Sequence, residues 1–351
     1  MKTEIIKIDP SNIERKKVKR VVEFLREGKL VILPTETVYG VGANSKIKEA
    51  VDRLYEIKKR PKDKPFSLAI SDFETAERLT KDISPLAYKL IERFWPGPLT
   101  LILEAVDSER SIGFRIPKNN ITLKVLSELK APVYLPSANI SGELTPTKLE
   151  EALRDLDGLV DLAIDGGETE LKCESTVVDL TIKPYRILRE RAIKREEIER
   201  TAKLKTILFV CTGNSCRSVM AKSLLERLLR DREDIEILAC GTLGLKGIGA
   251  SRETIELLKR EGIDVSEHKA VGLEDSFLKK SDLILVMERH HEEIISERAP
   301  QIRNRVFLLR EFAKIEGTEL NIPDPIGRSS GFYEKVFLMI KEAIERVAQL
   351  I

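Results

Sequence analysis

A cysteine and an arginine six positions apart, Cys211 and Arg217, are the residues of this chain best suited in type and spacing to do chemistry. Between them lies TGNSC, a short polar loop. The apolar run Ile207 to Val210 before it reads as a buried strand, and Met220, Leu224, Leu225 and Leu228 after it fall at helical spacing. Strand, tight loop and helix aim backbone N–H groups at an anion. A cysteine opening such a loop and an arginine closing it would share that anion, and both the helix N-terminus and the guanidinium favour a thiolate. Cys211 is therefore expected to be a nucleophile. The spacing alone also fits a buried strand-end cysteine beside a surface arginine; Gly213 and Asn214 inside the loop, with the flanking elements, favour the anion loop. The nucleophile needs a proton donor for its leaving group, and the candidate is Asp324 in NIPDPIG. Asp-Pro is first of all a turn signal. Here the loop follows the fourth strand of an alternating pattern and returns to the sheet edge that bears Cys211.

A second set of residues carries positive charge instead of a nucleophile. KKRPKDK, residues 58–64, taken alone is a solvated charge run, and PTETVYG and SAN taken alone are turn chemistry. Their meaning comes from their company, described below.

The elements that must position these residues differ between the two halves. Up to about residue 190 the chain mixes helical stretches (12–28, 46–59, 72–80, 84–94, 120–130, 147–156) with strands at 30–34, 66–70, 99–104, GFRIP, VYLP, LVDLAIDGG, CESTVVDLT and YRILRE. TETVYGVGANS reads as a polar, glycine-bearing turn. The mixture implies an α/β or α+β fold with many non-local strands. A charged helix-like run, AIKREEIERTAKLK, separates it from the rest, so domains are expected over 1–202 and 203–351. Beyond it, strands at 206–210, 235–239, 282–287 and 305–309 alternate with helices at 217–230, 251–261, 289–298 and 332–350. That order implies a doubly wound, four-stranded parallel sheet with flanking helices.

Composition bounds the readings. With 351 residues and a net charge of +2, the chain has room for two domains and no overall charge drawing it to nucleic acid or membrane. Four scattered cysteines make neither a disulfide framework nor a zinc site. Neither a signal peptide nor a membrane span is read from the sequence, so a cytoplasmic, reduced protein is expected.

Taken together, VCTGNSCRS, the ACGT turn, SDLILVM, RVFLL and PDP before the last helix resemble the low-molecular-weight protein phosphatase family over 205–351. The resemblance implies that Cys211 attacks phosphorus to form a phosphocysteine. Backbone N–H groups of 212–217 (Thr212, Gly213, Asn214, Ser215, Cys216) and Arg217 would hold the oxygens, and Asp324 would protonate the leaving group and then activate water. Asn214 and Ser218 would fix the loop and the thiolate. It further implies that Cys216 can form a reversible disulfide with Cys211, plain packing being the equal alternative. Tyrosine-directed relatives carry an apolar residue at the position of Ser215 and an aromatic after Asp-Pro, where this chain has Ile326. Bacterial arginine-directed relatives have Thr at the position of Ser215, which favours phosphoarginine over phosphotyrosine on a phosphoprotein. Arsenate reductases sharing the loop need an extra cysteine pair that 282–291 lack. His290 and His291 are read as surface and packing residues.

In the other half, PTETVYGVGAN, KKRPKDKPF, FWPGPLTLIL, GFRIP, LPSANISGE, CESTVVD and YRILRE, in this order, resemble the YrdC-like threonylcarbamoyl-adenylate synthases from residue 12 to about 198. The resemblance implies a twisted mixed α/β sheet. It implies synthesis of threonylcarbamoyl-AMP from L-threonine, bicarbonate and ATP with Mg2+, serving tRNA modification, with tRNA or its transfer machinery as a partner. By resemblance, Lys58, Arg60 and Lys64 neutralise the triphosphate. Asn139, Ser175 and Arg189 line the nucleotide side, Ser175 counting also among the threonine contacts. Arg115 pairs with the threonine carboxylate, and Thr35 and Ser137 bond the amino acid. Arg191 stands where the family commonly has Gly, and KPFSLAI replaces a more polar strand. A module that binds RNA or nucleotide without catalysis is the alternative.

Overall fold

The two halves differ in how much of each strand is apolar, and this decides their sheets. In the second half Lys205–Cys211 is buried at every position after its first. That is the pattern of a parallel strand covered on both faces. The structure, a computed structural model, describes residues 2–106 and 111–351. Its contacts divide the chain into two compact units, 1–83 with 89–199, and 200–351 with 84–88.

The first unit contains strands β1 (Glu4–Lys7), β2 (Val31–Leu33), β3 (Gly40–Asn44), β4 (Leu68–Ala69), β5 (Leu99–Glu104), β6 (Ser111–Arg115), β7 (Val133–Tyr134), β8 (Leu162–Asp165), β9 (Thr176–Asp179) and β10 (Arg186–Arg189). Among the described residues they form one mixed sheet in the order β1-β8-β2-β3-β7-β4-β6-β5-β9-β10. β1, β2 and β8 run parallel, as do β4 with β6 and β5 with β9; the other neighbours are antiparallel. Helices α1 (Arg15–Arg26), α2 (Lys48–Ile57), α3 (Phe73–Leu79), α5 (Asn120–Leu129) and α6 (Leu149–Leu156) accompany it, while α4 (Pro85–Phe94) and α7 (Arg195–Lys203) each have residues assigned to both units. The apolar stripe of α1, Val18, Val21, Val22 and Leu25, joins Val125, Leu126 and Leu129 of α5 in one core cluster. Asn119 starts α5 by accepting from the amides of Ile121 and Thr122.

Two elements depart from expectation. The stretch read as a turn after β2 contains β3, whose glycines hide the strand pattern. They are there because side chains would not fit: a Cβ on Gly40 would lie 2.8 Å from Leu135, and one on Gly42 3.2 Å from Val133. β1 was not expected either, since Ile5 is half exposed and the strand exists through its pairing with β8.

The second unit holds β11 (Lys205–Cys211), β12 (Ile235–Gly241), β13 (Leu283–Val286) and β14 (Val306–Leu308), all parallel, in the order β12-β11-β13-β14. Its helices are α8 (Arg217–Leu228), α9 (Arg252–Arg260), α10 (Asp275–Lys280), α11 (Arg289–Arg298), α12 (Leu309–Phe312) and α13 (Ser330–Leu350). The short α10 and α12, six and four residues of mixed character, carry no readable period. On one face Phe209, Met220, Leu224 and Leu225 pack with Val336, Ile340 and Ile344 of α13. Leu225 is fully buried, so Leu225→Ala would cost about 2–5 kcal/mol. This core fixes the carboxyl ends of β11 and β13, from which the site loops spring. No helix among the described residues is long and apolar enough to cross a membrane.

Candidate active sites

In the first unit eight of the nine residues singled out from sequence line a single cavity of about 570 Å³: Thr35, Lys58, Arg60, Arg115, Ser137, Asn139, Ser175 and Arg189. Lys64 is exposed and lies outside that lining; its carbonyl instead accepts from Arg60 Nε at 2.8 Å. Arg60 also donates to the Pro65 carbonyl and lies over the Phe66 ring, so it shapes the charged loop as much as it faces the cavity.

Lys58 ends α2 with its ammonium buried. Nζ donates to the carbonyls of Ser137 (2.6 Å) and Asn139, and to Asn139 Oδ1 (3.1 Å). Ser137 Oγ donates to the same Oδ1, and Asn139 Nδ2 to the Glu143 carbonyl. The lysine thus orders the S-A-N loop while keeping a cation in the wall. Burial, with Arg60 nearby, pulls its pKa down to about 8. Arg115, at the end of β6, donates through Nη2 to Thr37 Oγ1 (2.8 Å) and through Nε to the Gly97 carbonyl (3.2 Å). Its counter-charge is Glu36, whose side chain is 2% exposed and whose Oε1 lies 2.8 Å from Nη2. Neither Glu36 oxygen receives a well-directed hydrogen bond, so the pair is Coulombic in character. Arg189, at the end of β10, donates to the Ser175 carbonyl (3.0 Å) and Oγ (3.1 Å) and pairs with Glu174. Burial lowers its pKa, against the opposing charge of Glu174. Thr35 Oγ1 is tied locally to Thr37 and Val38. Arg191 is exposed and outside the cavity lining. Glu36, Thr37 and Glu174 were not singled out from sequence, although the first two lie inside the quoted PTETVYG.

The cavity therefore offers cations at Lys58, Arg60, Arg115 and Arg189, with hydroxyls between them. Its lining acids are Glu143 and Glu174, and Glu174 is committed to Arg189. A Mg2+ fits this lining only as a companion of a nucleotide's phosphates, since the walls offer no cage of carboxylates.

In the second unit β11 delivers Cys211 to the loop and α8 begins at Arg217. Asn214 takes the left-handed conformation at φ 53°, and its amide points at Cys211 Sγ at 3.3 Å. Ser218 Oγ lies 2.9 Å from the same sulfur and accepts from Asn214 Nδ2. Asn214 Oδ1 accepts from the Val271 amide, and its carbonyl meets His268 Nε2 at 2.7 Å. β12 closes on this loop: a Cβ at Gly241 would lie 2.8 Å from backbone atoms of Thr212, Gly213 and Asn214. Cys216 Sγ lies 3.3 Å from Ser251 Oγ and 3.5 Å from Tyr333 Oη; all four cysteines are free. Ser215 lies at the partly open side of the loop.

Arg217 is 1% exposed, and each of its two Nη groups holds two acceptors. Nη1 pairs with Glu288 and donates to the Ile322 carbonyl (2.9 Å); Nη2 pairs with Asp324 and donates to Thr212 Oγ1 (2.9 Å). The loop after β14 thus brings Asp324 to the Cys211 edge. Glu288, immediately after β13, and His291, in the first turn of α11, complete this surround. Both stand at the carboxyl end of a parallel strand, where sequence order already directs attention. His291 is fully buried and bonded at both ring nitrogens, not a surface residue. Burial first, then His290 and Arg217, depress its pKa to about 3. The arrangement gathers the Asn214 amide, a guanidinium, a thiol and a carboxyl at the carboxyl end of β11.

Residues 23–191 match the Sua5, YciO and YrdC family model, described as telomere recombination. Residues 206–351 match that of the low molecular weight phosphotyrosine protein phosphatases. The threonylcarbamoyl-AMP synthase of Pyrococcus abyssi is 43% identical over 196 residues, 54% of this chain and 58% of the relative. The putative threonylcarbamoyl-AMP synthase of Methanocaldococcus jannaschii is 35% identical over 210 residues, 57% of this chain and 99% of the relative. The solved structure of P. abyssi Sua5 complexed with L-threonine aligns at a TM-score of 0.55 and 28% identity, over 97% of this chain and 98% of that one. The chain spans about half the length of the first curated relatives it matches. It belongs to the Sua5/YciO/YrdC family, with a domain of the low-molecular-weight phosphatase family following in the same polypeptide.

Proposed function

We propose that the chain carries two activities, a threonylcarbamoyl-AMP synthase in the first unit and a protein phosphatase in the second. The observation that supports the first is the assembly of Lys58, Arg115, Ser137, Asn139 and Arg189 around one cavity. Threonine's amine condenses with bicarbonate, with loss of water, to give a carbamate, and the carbamate carboxylate attacks the α-phosphate of ATP with loss of pyrophosphate. Two anions must be brought together, so the protein's contribution is charge neutralisation and positioning. Arg115 receives the threonine carboxylate, Lys58 and Arg60 the phosphates, and Arg189 the nucleotide side; Mg2+ accompanies the ATP phosphates. The exposed position of Arg191 gives no support to a module that merely binds RNA or nucleotide. Incubation with ATP, bicarbonate and threonine should yield threonylcarbamoyl-AMP. ATP binding without that product would sink this half of the proposal. The product would pass to the tRNA-modifying machinery.

For the second unit the supporting observation is the convergence of Cys211, Arg217 and Asp324. Cys211 attacks phosphorus to form a phosphocysteine, Asp324 protonates the leaving group, and the same carboxylate then takes a proton from the attacking water. Ser215 and the exposed Ile326 in place of an aromatic favour phosphoarginine over phosphotyrosine. Comparing the two substrates with wild type and Cys211→Ser tests this; equal hydrolysis by both proteins would exclude Cys211 as nucleophile.

A further inference from the structure

His291 has a place in the phosphatase site that packing alone does not explain. Its ring is fully buried, and Nδ1 accepts the Glu288 backbone N–H at 3.2 Å. Accepting there fixes the neutral tautomer with the proton on Nε2. Nε2 faces Thr212 Oγ1 at 3.0 Å, so the imidazole donates to the hydroxyl. Arg217 Nη2 donates to the same oxygen at 2.9 Å. With two donors on its lone pairs, the Thr212 hydroxyl can act toward any further group only as a donor.

Resting on the phosphatase reading, we infer that His291 is a positioning residue for the anion loop. Its Nε2–H turns the Thr212 hydroxyl into a donor for the bound oxyanion, and it anchors the oxygen that holds the Nη2 edge of Arg217. The second role matters because Nη2 is shared with Asp324. When Asp324 turns to the leaving group, Thr212 remains as the acceptor that keeps the guanidinium in plane. The depressed pKa of His291 fits this use, because an imidazolium would present a second N–H to the Glu288 amide.

Two amide substitutions separate this role from helix capping. In His291→Gln, Nε2 of the amide reaches the position of the imidazole Nε2 and can donate to Thr212. In His291→Asn the side chain matches only Nδ1, keeping the acceptor for Glu288 and losing the donor. With p-nitrophenyl phosphate and the full chain, His291→Asn should lower kcat roughly 10- to 100-fold with KM changed less than about threefold, and His291→Gln should stay within about threefold of wild type. Thr212→Val should lower kcat by a similar factor, and in that background His291→Asn should add nothing. Wild-type kcat in His291→Asn, an equal loss in His291→Gln, or wild-type kcat in Thr212→Val would each overturn the inference; the last holds even if His291→Asn fails to fold. Absence of hydrolysis by the wild type would overturn the phosphatase reading and this inference together.

Discussion

Asp324→Asn isolates the proton-donor role, because the structure says what else the substitution changes. Asp324 is 35% exposed and makes two contacts: Oδ1 accepts the Ile326 amide at 3.0 Å, and Oδ2 pairs with Arg217. An asparagine keeps an acceptor for one of them, and Arg217 keeps Glu288 as its counter-charge. The stability loss should therefore be only about 1 kcal/mol, discounted for solvent screening. For a unit of this size that is about 2–4 °C in Tm. The kinetic loss should be much larger, because removing a positioned general acid costs about 10²–10⁴ in rate. It should also depend on the leaving group. Phenyl phosphate, whose phenoxide needs the proton, should show the full loss, and p-nitrophenyl phosphate a loss closer to about tenfold. The assay is kcat on both esters, beside a thermal melt. Equal losses on the two esters, or a melt lowered by more than about 10 °C, would refute a proton-donor role and make Asp324 a structural partner of Arg217.

Gly241→Ala places a methyl 2.8 Å from the loop backbone, so kcat on p-nitrophenyl phosphate should fall more than about tenfold with about 1–3 kcal/mol of stability; an unchanged kcat would show that the loop yields freely. Glu36→Gln removes the buried counter-charge of Arg115 and should weaken L-threonine binding by about tenfold in calorimetry with ATP affinity unchanged; loss of both would point to collapse of the cavity. The Lys58 pKa is depressed from 10.5 to about 8, so its charge is present below about pH 8 and lost above it. Raising the pH from 7 to 9 should weaken ATP binding by up to about tenfold in wild type and little in Lys58→Arg, since one unit above the pKa leaves about a tenth of the ammonium charged. Stability moves oppositely: between about 8 and 10.5 the unfolded chain binds the proton more tightly, so folding is favoured as pH rises.

How far the sequence could be read depended on whether each signal was local. Cys211, Asn214, Ser218 and Arg217 lie within eight consecutive residues, so strand, loop and helix patterns specify their geometry together. Glu288 and His291 come from another strand end, and only the parallel topology places them beside Arg217. In the other unit the cavity residues stand on six separated motifs, and no local rule predicts that Lys58 should hold the S-A-N loop by its carbonyls. At Lys64 the charge run is ambiguous in the same way: its side chain is exposed outside the cavity lining while its carbonyl accepts from Arg60. β3 was unreadable for a steric reason, since the glycines that weaken its strand signal are the ones that let Leu135 and Val133 pack against it.

The cations of both sites share one device. Arg217 is held by Glu288, Asp324, Thr212 and a carbonyl, Arg115 by Glu36 and Thr37, Arg189 by Glu174 and Ser175, and Lys58 by two carbonyls and an amide oxygen. A buried charge left without such partners would cost several kcal/mol. Pre-pairing removes that cost and fixes the direction of each donor before an anion arrives, which is the form of preorganisation electrostatic catalysis requires. It also sets a condition: a ligand must displace a partner or approach a donor the partners leave. At Arg217 the partner to be displaced is identifiable, because Asp324 is more exposed than Glu288 and is the carboxylate with a second task. On the proposed phosphatase reading, the guanidinium that receives the phosphoryl group is thereby coupled to the acid that protonates the leaving group. On that reading, engagement of Nη2 by the anion releases the Asp324 carboxylate from its ion pair, so that it can take up a proton and pass it to the leaving group.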